Sequence, residues 1–435
     1  MSNNRQITSR TVEKKPIIMK KPYDKLRDTG IDWLKVMPEH WEVKRLKYVS
    51  SCNDESLPET TDPDYQILYV DISSVSGTSG IIAKEEMSFE DAPSRARRIV
   101  KDGDTIVSTV RTYLKAIAPI NDAEDNLIVS TGFAVLRPFN IFPGYLSLVI
   151  QSHYVVDSIV ARSVGVSYPA INASDIGSIF VPVPPINEQL NIANKVQSAV
   201  SSIDDLIRKK EQMIELLKEK RIALITQAVT KGLDPDAKMK DSGIEWMGEV
   251  PEHWETQKLR RVCKFAYGDS LPDDDRNDEQ VPVYGSNGIV GFHDMSNTLS
   301  PAIIIGRKGS YGKLNYSQDS AFAIDTTYYI DRKTTSHNIR WLFYMLTILR
   351  LDEGSKDSAV PGLAREDAYS LAVPVCDPDE QQAIASFLDH ETEHIDALIQ
   401  KHERVIELLQ EYRSSLIHHA VTGKIDLRGY DDQLR

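Results

Sequence analysis

Cysteine is scarce in this chain: Cys52, Cys263 and Cys376 lie far apart and form no CxxC pair. Neither a disulfide framework nor a zinc cluster is suggested, and a reducing cytoplasm fits best. Long apolar runs are also missing. None approaches the ~20 residues that span a bilayer, and Met1–Arg10 is polar, without the apolar core of a signal peptide. Membrane partners are therefore not expected. An excess of positive charge is absent too. The net charge is −13, which on bulk grounds argues against nucleic acid. Residues 50–180 hold 9 Lys and Arg against 17 Asp and Glu, and residues 263–372 hold 11 against 15. Any nucleic-acid contact must use local basic clusters on an acidic body. Catalytic signatures are missing as well. There is no Asn-Pro-Pro-Tyr/Phe or Asp-Pro-Pro-Tyr, and no glycine fingerprint for a methyl donor.

What the chain does have, it has twice. Asp28–Val49 reads DTGIDWLKVMPEHWEVKRLKYV and Asp241–Val262 reads DSGIEWMGEVPEHWETQKLRRV. Val181–Asp234 returns in the same way as Val373–Asp426. The stretches between the copies show no comparable match. A duplicated frame with two divergent inserts suggests one scaffold presenting two different reading heads. At 435 residues, 41% hydrophobic and 26% charged, the chain suits a globular protein of two or more domains.

Each second repeat predicts a long helix. Ile192, Val196, Ala199, Ile203, Leu206, Met213, Leu217 and Leu224 alternate spacings of three and four, with Lys210 and Lys220 interrupting. The other copy offers Ile384, Leu388, Ile395, Leu398, Val405, Leu409 and Leu416, interrupted by Glu391, His402 and Tyr412. This is a coiled-coil stripe. Prolines followed by Asn187-Glu188-Gln189 or Asp379-Glu380-Gln381 mark the starts. About 43 residues per helix give roughly 65 Å. Matching seams favour mutual antiparallel pairing, with the inserts at opposite ends. The expected architecture is α+β: two mixed α/β domains on a long two-helix coiled coil, related by a pseudo-twofold repeat. Its expected segments are a tail (1–26), a first domain (27–180), a long helix (181–235), a second domain (236–372), and a second helix with its tail (373–435).

In the inserts, 65–72, 104–110, 132–136, 281–290 and 302–305 read as strands, and 339–351 as a helix. Trp33, Trp246 and the two Pro-Glu-His-Trp copies (38–41 and 251–254) are expected to anchor the inserts onto the helices. Antiparallel pairing also predicts that Arg10 and the tail after Asp426 lie near the junction of helix one and insert two.

Several motifs compete for a function. His390-Glu391-Thr392-Glu393-His394 fits HExxH, which puts two histidines on one helix face. The other copy has Ser198-Ala-Val-Ser-Ser202 there, and no third ligand is placed nearby. Gly306–Lys313 (GRKGSYGK) resembles a phosphate loop, but it has five residues before its Gly-Lys where Walker A has four, and Leu314 follows the lysine. What remains is a glycine-rich loop with three cations, two hydroxyl-bearing residues and an apolar strand before it, parts that suit phosphate and base-edge contacts. Ser108, Arg111, Tyr113 and Lys115 form a looser counterpart in insert one, and Arg95, Arg97 and Arg98 a separate basic run. Pro272-Asp273 with Asp331-Arg332-Lys333 makes a fragmentary nuclease pattern.

Ser242–Glu255 (SGIEWMGEVPEHWE), Val281–Phe292 (VPVYGSNGIVGF), Ile303–Lys313 (IIIGRKGSYGK), LITQAVTKGLD at 224–234 and LIHHAVTGKID at 416–426 together resemble the specificity subunit of type I restriction–modification systems. The likeness covers nearly the whole chain and is weaker in insert one. It implies two target recognition domains, each reading half of a split, asymmetric site on double-stranded DNA. The helices would set the unread spacer and dock two methyltransferase subunits, which bring S-adenosylmethionine. Two restriction subunits, using ATP and Mg, would complete the assembly, and this chain would catalyse nothing and hold no cofactor itself. The candidate DNA contacts are Arg307, Lys308, Ser310, Tyr311 and Lys313, with Tyr284, Ser286 and Asn287 beside them. In insert one they are Ser108, Arg111, Tyr113 and Lys115. The rival readings are a coiled-coil scaffold without a DNA role, a metal-dependent nuclease or peptidase, and a spare subunit that exchanges heads by recombination.

Overall fold

The computed structural model describes residues 22–77, 80–165, 168–277, 280–353 and 362–428. The chain forms two compact units: residues 1–210 with 404–435, and residues 211–403. Two long helices, Ile186–Lys231 and Pro378–Val421, contribute a segment to each unit.

In the first unit, one sheet has the order Ile117–Pro119, Thr105–Ser108, Phe133–Pro138, Ser50–Cys52, and a second has Glu85–Ser88, Gln66–Val70, Leu127–Ser130, Ala96–Ile99. The Leu127–Ser130 strand runs parallel to Gln66–Val70. Thr105–Ser108 and Leu127–Ser130 are buried at every position, which explains why they are apolar or hydroxylated without alternation. Helices Pro143–Gln151 and His153–Arg162 pack on the core.

The second unit repeats most of this wiring, without a counterpart of Ala96–Ile99 among the described residues. Its sheets read Leu314–Ser317, Ala302–Gly306, Thr327–Ile330, Ala266–Tyr267, and Gly288–His293, Val281–Gly285, Phe322–Ala323. Here too one pair of strands is parallel, Val281–Gly285 with Phe322–Ala323. The duplicated Val-Pro-Val strands pair with the residues just after Pro-Glu-His-Trp in both units: Phe180–Val183 with Glu42–Arg45, and Ala372–Val375 with Glu255–Lys258. The inserts therefore share most of a strand order although their sequences diverge.

The duplicated residues meet one another. Gln189 Oε1 accepts the Phe142 amide at 2.8 Å while its Nε2 donates to Pro184 O at 2.8 Å. Gln381 repeats both contacts, with the Asn338 amide at 2.9 Å and Cys376 O at 2.8 Å. His40 pairs with Glu188 at 2.8 Å, and His253 with Glu380 at 3.0 Å. Trp41 and Trp254 are fully buried, and a helix-ending glycine lies against each indole, Gly423 and Gly232 respectively. Both glycines have positive φ, +68° and +73°, the left-handed exit that commonly follows a helix. Trp33 stacks on Tyr154 with centroids 3.5 Å apart. Trp246 departs from the expectation of an anchor: it is 45% exposed.

The helix segments pair antiparallel within the first unit. Asn191 and Lys195 donate to Leu427 O at 3.1 and 2.9 Å, and Asp204 meets Arg413 at 2.9 Å. In the second unit Arg221 meets Asp396 at 3.2 Å, while Ile225, Ala228 and Val229 share a core with Ile384, Ala385 and Leu388. The second helix follows the expected stripe, burying Ile384, Leu388, Ile395 and Leu416 and half-burying Leu398, Val405 and Leu409. The first follows it through Ile203 and then moves by one position: Ile207, Ile214 and Ile225 are buried, whereas Met213 is exposed. A 3.6-residue helix drifts against a 3.5-residue pattern, and isoleucines stand ready at the neighbouring positions.

The tail and the helix-one junction fall in different units. Arg10 lies outside the described residues, but Leu427 sits at the start of the first long helix and Arg428 lies over the Tyr23 ring, all within the first unit. The helix-one junction near Asp234 belongs to the second unit.

Candidate DNA interface

Both candidate clusters occupy one place in the common frame. In the first unit the Ser108 amide donates to Ala116 O (2.9 Å), Thr109 to Gly132 O (2.7 Å), and Ile171 to Thr109 O (2.8 Å). In the second, Gly306 donates to Lys313 O (2.8 Å), Arg307 to Thr326 O (2.8 Å), and Leu363 to Arg307 O (2.9 Å). Isolated bridges match as well, Val110 with Ala170 and Lys308 with Gly362. Ser108 thus corresponds to Gly306, Thr109 to Arg307 and Val110 to Lys308. Residues 109–115 form the loop of one head and 307–312 that of the other.

Loop two is held tightly. A Cβ on Gly306 would lie 2.1 Å from Ser310 O and 3.0 Å from Ser286 O, and one on Gly312 (φ +73°) would lie 2.2 Å from the Asp352 amide nitrogen. Only glycine fits such approaches. Arg307 donates twice to Asp325 O, at 3.1 and 2.7 Å, and lies over the Tyr267 ring at 5.4 Å. Arg365 lies 5.3 Å from the same ring. Lys313 donates to Asn287 O and Oδ1 at 3.0 and 2.8 Å. These contacts bring Ser286, Asn287, Arg307, Ser310 and Lys313 together, with Lys308 and Ser310 exposed and Tyr311 half-buried. Tyr284 stands apart: it is buried in a small core with Ala302, Ile304, Ala321 and Ala323.

Loop one is built differently. Ser108 is buried beneath it. Arg111, Tyr113 and Lys115 are exposed around a single 3-10 turn, Thr112–Leu114. Arg111 and Lys115 flank that turn in the left-handed region, at φ 51° and 52°, which costs a non-glycine residue roughly 1 kcal/mol each. The Arg111 amide donates to Pro169 O at 2.9 Å, and Thr112 Oγ1 bonds Ser163 Oγ at 2.8 Å. Sequence reasoning missed Tyr168, whose ring lies 4.8 Å from the Arg111 guanidinium carbon, and Tyr267 under Arg307. Nothing local in the sequence signals either pairing, because the partners are tens of residues apart.

The other motifs have structural settings. Arg97 lies over Phe89 at 4.4 Å, and Arg98 bonds Ser56 at 3.2 Å. Asp331 is buried and accepts the Leu299 and Lys333 amides, both at 2.9 Å, while Asp273 is an exposed partner of Arg276. His390 and His394 are exposed on the second long helix. Among the described residues no group of three or more His, Cys, Asp or Glu side chains could hold a metal ion, and no helix is long and apolar enough to cross a membrane. Burial pushes the thiols up, to about 11 at Cys52 and about 12 at Cys263 and Cys376, away from the reactive range.

A chain solved in work on complex assembly and conformational transition of the type I R-M system superposes with a TM-score of 0.69 at 23% identity, over 89% of this chain and 99% of that one. It shares the fold. A protein assigned as the type I restriction enzyme MjaX specificity subunit of Methanocaldococcus jannaschii is 24% identical over 90% of this chain and 95% of its own length. The MjaVIII specificity subunit of the same organism is 24% identical over 62% and 67%. The model of the type I restriction modification DNA specificity domain matches twice, at residues 38–216 and 251–408, so the chain belongs to that family and carries two copies of its domain.

Proposed function

We propose that this chain is the DNA specificity subunit of a type I restriction–modification complex, each domain reading one half of a bipartite, asymmetric site. The observation that carries this reading is the pair of exposed loops at one position of a common backbone frame, with different side chains on each. A shared frame gives both heads the same approach to DNA, and different tips give each its own half-site. Local cations on loops also reconcile DNA contact with a net charge of −13, since partner subunits supply much of the phosphate neutralisation.

In this proposal the long helices set the spacer between half-sites and dock two methyltransferase subunits, with two restriction subunits joining them in the cytoplasm. S-adenosylmethionine, ATP and Mg belong to those partners, and this chain contributes recognition alone. Arg307, Lys308, Ser310, Tyr311 and Lys313, with Ser286 and Asn287, form the reading edge of the second head. Within it Arg307 and Lys313 act mainly by holding the loop. Arg111, Tyr113 and Lys115 form that of the first. Ser108 and Tyr284 support these edges from the core. Co-expression with the methyltransferase subunit of its own system, followed by methylated-base mapping of host DNA, tests the reading. Methyladenine confined to one split motif is expected. A stable complex with no methylation would contradict it, and no complex at all would favour a scaffold.

A further inference from the structure

The two heads hold their arginines in opposite ways. In the second head the guanidinium of Arg307 is tethered to Asp325 O through Nε and Nη2, and Tyr267 is shared between it and Arg365. In the first head Arg111 is exposed, and its guanidinium makes no hydrogen bond or ion pair among the described residues. Its one ring contact there is Tyr168, 64% exposed. The backbone beneath it is strained at both Arg111 and Lys115 and is pinned by the Pro169 carbonyl. Strain of this kind persists where the surroundings over-determine it, and it gathers at functional positions. A guanidinium resting on an aromatic face keeps its planar fork of donors and gives up little freedom when it binds.

We propose that Arg111 reads a guanine in the half-site of the first head, donating two hydrogen bonds to O6 and N7 in the major groove, and that Tyr168 is its positioning residue. The second head has no arginine at this place: Val110 corresponds to Lys308 and Arg111 to Gly309, and its loop arginine is tethered to Asp325 O. This inference rests on the proposed DNA-reading role. An arginine fork matches guanine O6 and N7, whereas adenine presents a donor at the O6 position. Contact with phosphate alone would be indifferent to the base.

The test uses the full chain in complex with its modification subunits, and a duplex carrying its mapped split site. Each guanine of one half-site is replaced in turn by 7-deazaguanine, which lacks the N7 acceptor. One such replacement should weaken wild-type binding, and Arg111→Ala should weaken it about 5- to 150-fold. In Arg111→Ala the same replacement should then have no further effect. Tyr168→Ala should reproduce part of the loss at that base pair, and Tyr168→Phe should restore it. Arg111→Gln, whose amide fork matches adenine N6 and N7 and not guanine, should lose the dependence on this guanine as Arg111→Ala does; this holds the test open if the alanine variant fails to fold. Additive losses in the variant and the deazaguanine duplex would overturn the inference, as would a half-site pair without guanine dependence on Arg111. If the wild-type complex marks no split motif, the DNA-reading role itself fails, and this inference with it.

Discussion

The loops at 109–115 and 307–312 leave equivalent strands through equivalent hydrogen bonds and then part ways. Loop two is bounded by Gly306 and Gly312, which admit neighbouring backbone at distances where no Cβ fits, and Arg307 and the adjoining Lys313 bind carbonyl oxygens of the head itself. Loop one has no glycine; it turns through two strained cationic residues and leans on a distant tyrosine. The same exit from the same sheet is therefore compatible with very different tips. Backbone pairing fixes where a tip stands, and local side-chain chemistry fixes what it presents.

The sharpest way to break this comparison is to move a residue across it. Gly306→Ser installs the residue that head one uses at that position. Its Cβ would meet Ser310 O at 2.1 Å, so the second unit should lose on the order of 3 kcal/mol, read as a lowered unfolding transition. Ser108→Gly should cost about 1 kcal/mol. Equal tolerance at both positions would contradict the correspondence of the loops.

The glutamine contacts should behave alike where the loops do not. Gln189→Ala and Gln381→Ala each leave a buried carbonyl and a part-buried amide N–H without this partner, costing about 2 kcal/mol. Thermal unfolding should show comparable losses, and an effect confined to one copy would break the internal symmetry.

A third contrast is pH. Burial, followed by Lys424, His419 and His153, holds His418 down to about 4 from 6.5. The neutral ring is the native form, so its contribution is present above pH 6.5 and is lost as pH falls toward 4. The first unit should lose about 1–2 kcal/mol across that window, and His418→Gln should flatten that part of the profile. An unchanged slope in the variant would remove His418 from the account.

The smallest effects separate holding from presenting. Arg307→Ala should cost about 1 kcal/mol of stability. Lys308→Ala should leave unfolding unchanged while reducing the salt dependence of DNA binding by about one phosphate contact. The reverse pattern would exchange their roles.

The architecture was legible because it was written twice. The duplicated Pro-Glu-His-Trp and Glu-Gln segments turned out to touch each other, and the long helices begin at Ile186 and Pro378, beside the proline signals. The shared strand order of the inserts was invisible, since backbone hydrogen bonds do not demand matching side chains. Residues 281–290 read as one strand but fold as two, turning at Ser286-Asn287. Tyr284 looked like a reader from its place beside that turn, yet both faces of its strand are covered, Val283 on one and Tyr284 on the other. Arg307 looked free because nothing local reveals that Asp325 O would reach it.

Exchanging residues 50–180 for the corresponding segment of a relative with a different site, then mapping methyladenine, tests the central claim most directly. One half of the split motif should change while the other half stays as it was. A change in both halves, or in neither, would contradict a chain that reads DNA with two independent heads on one frame.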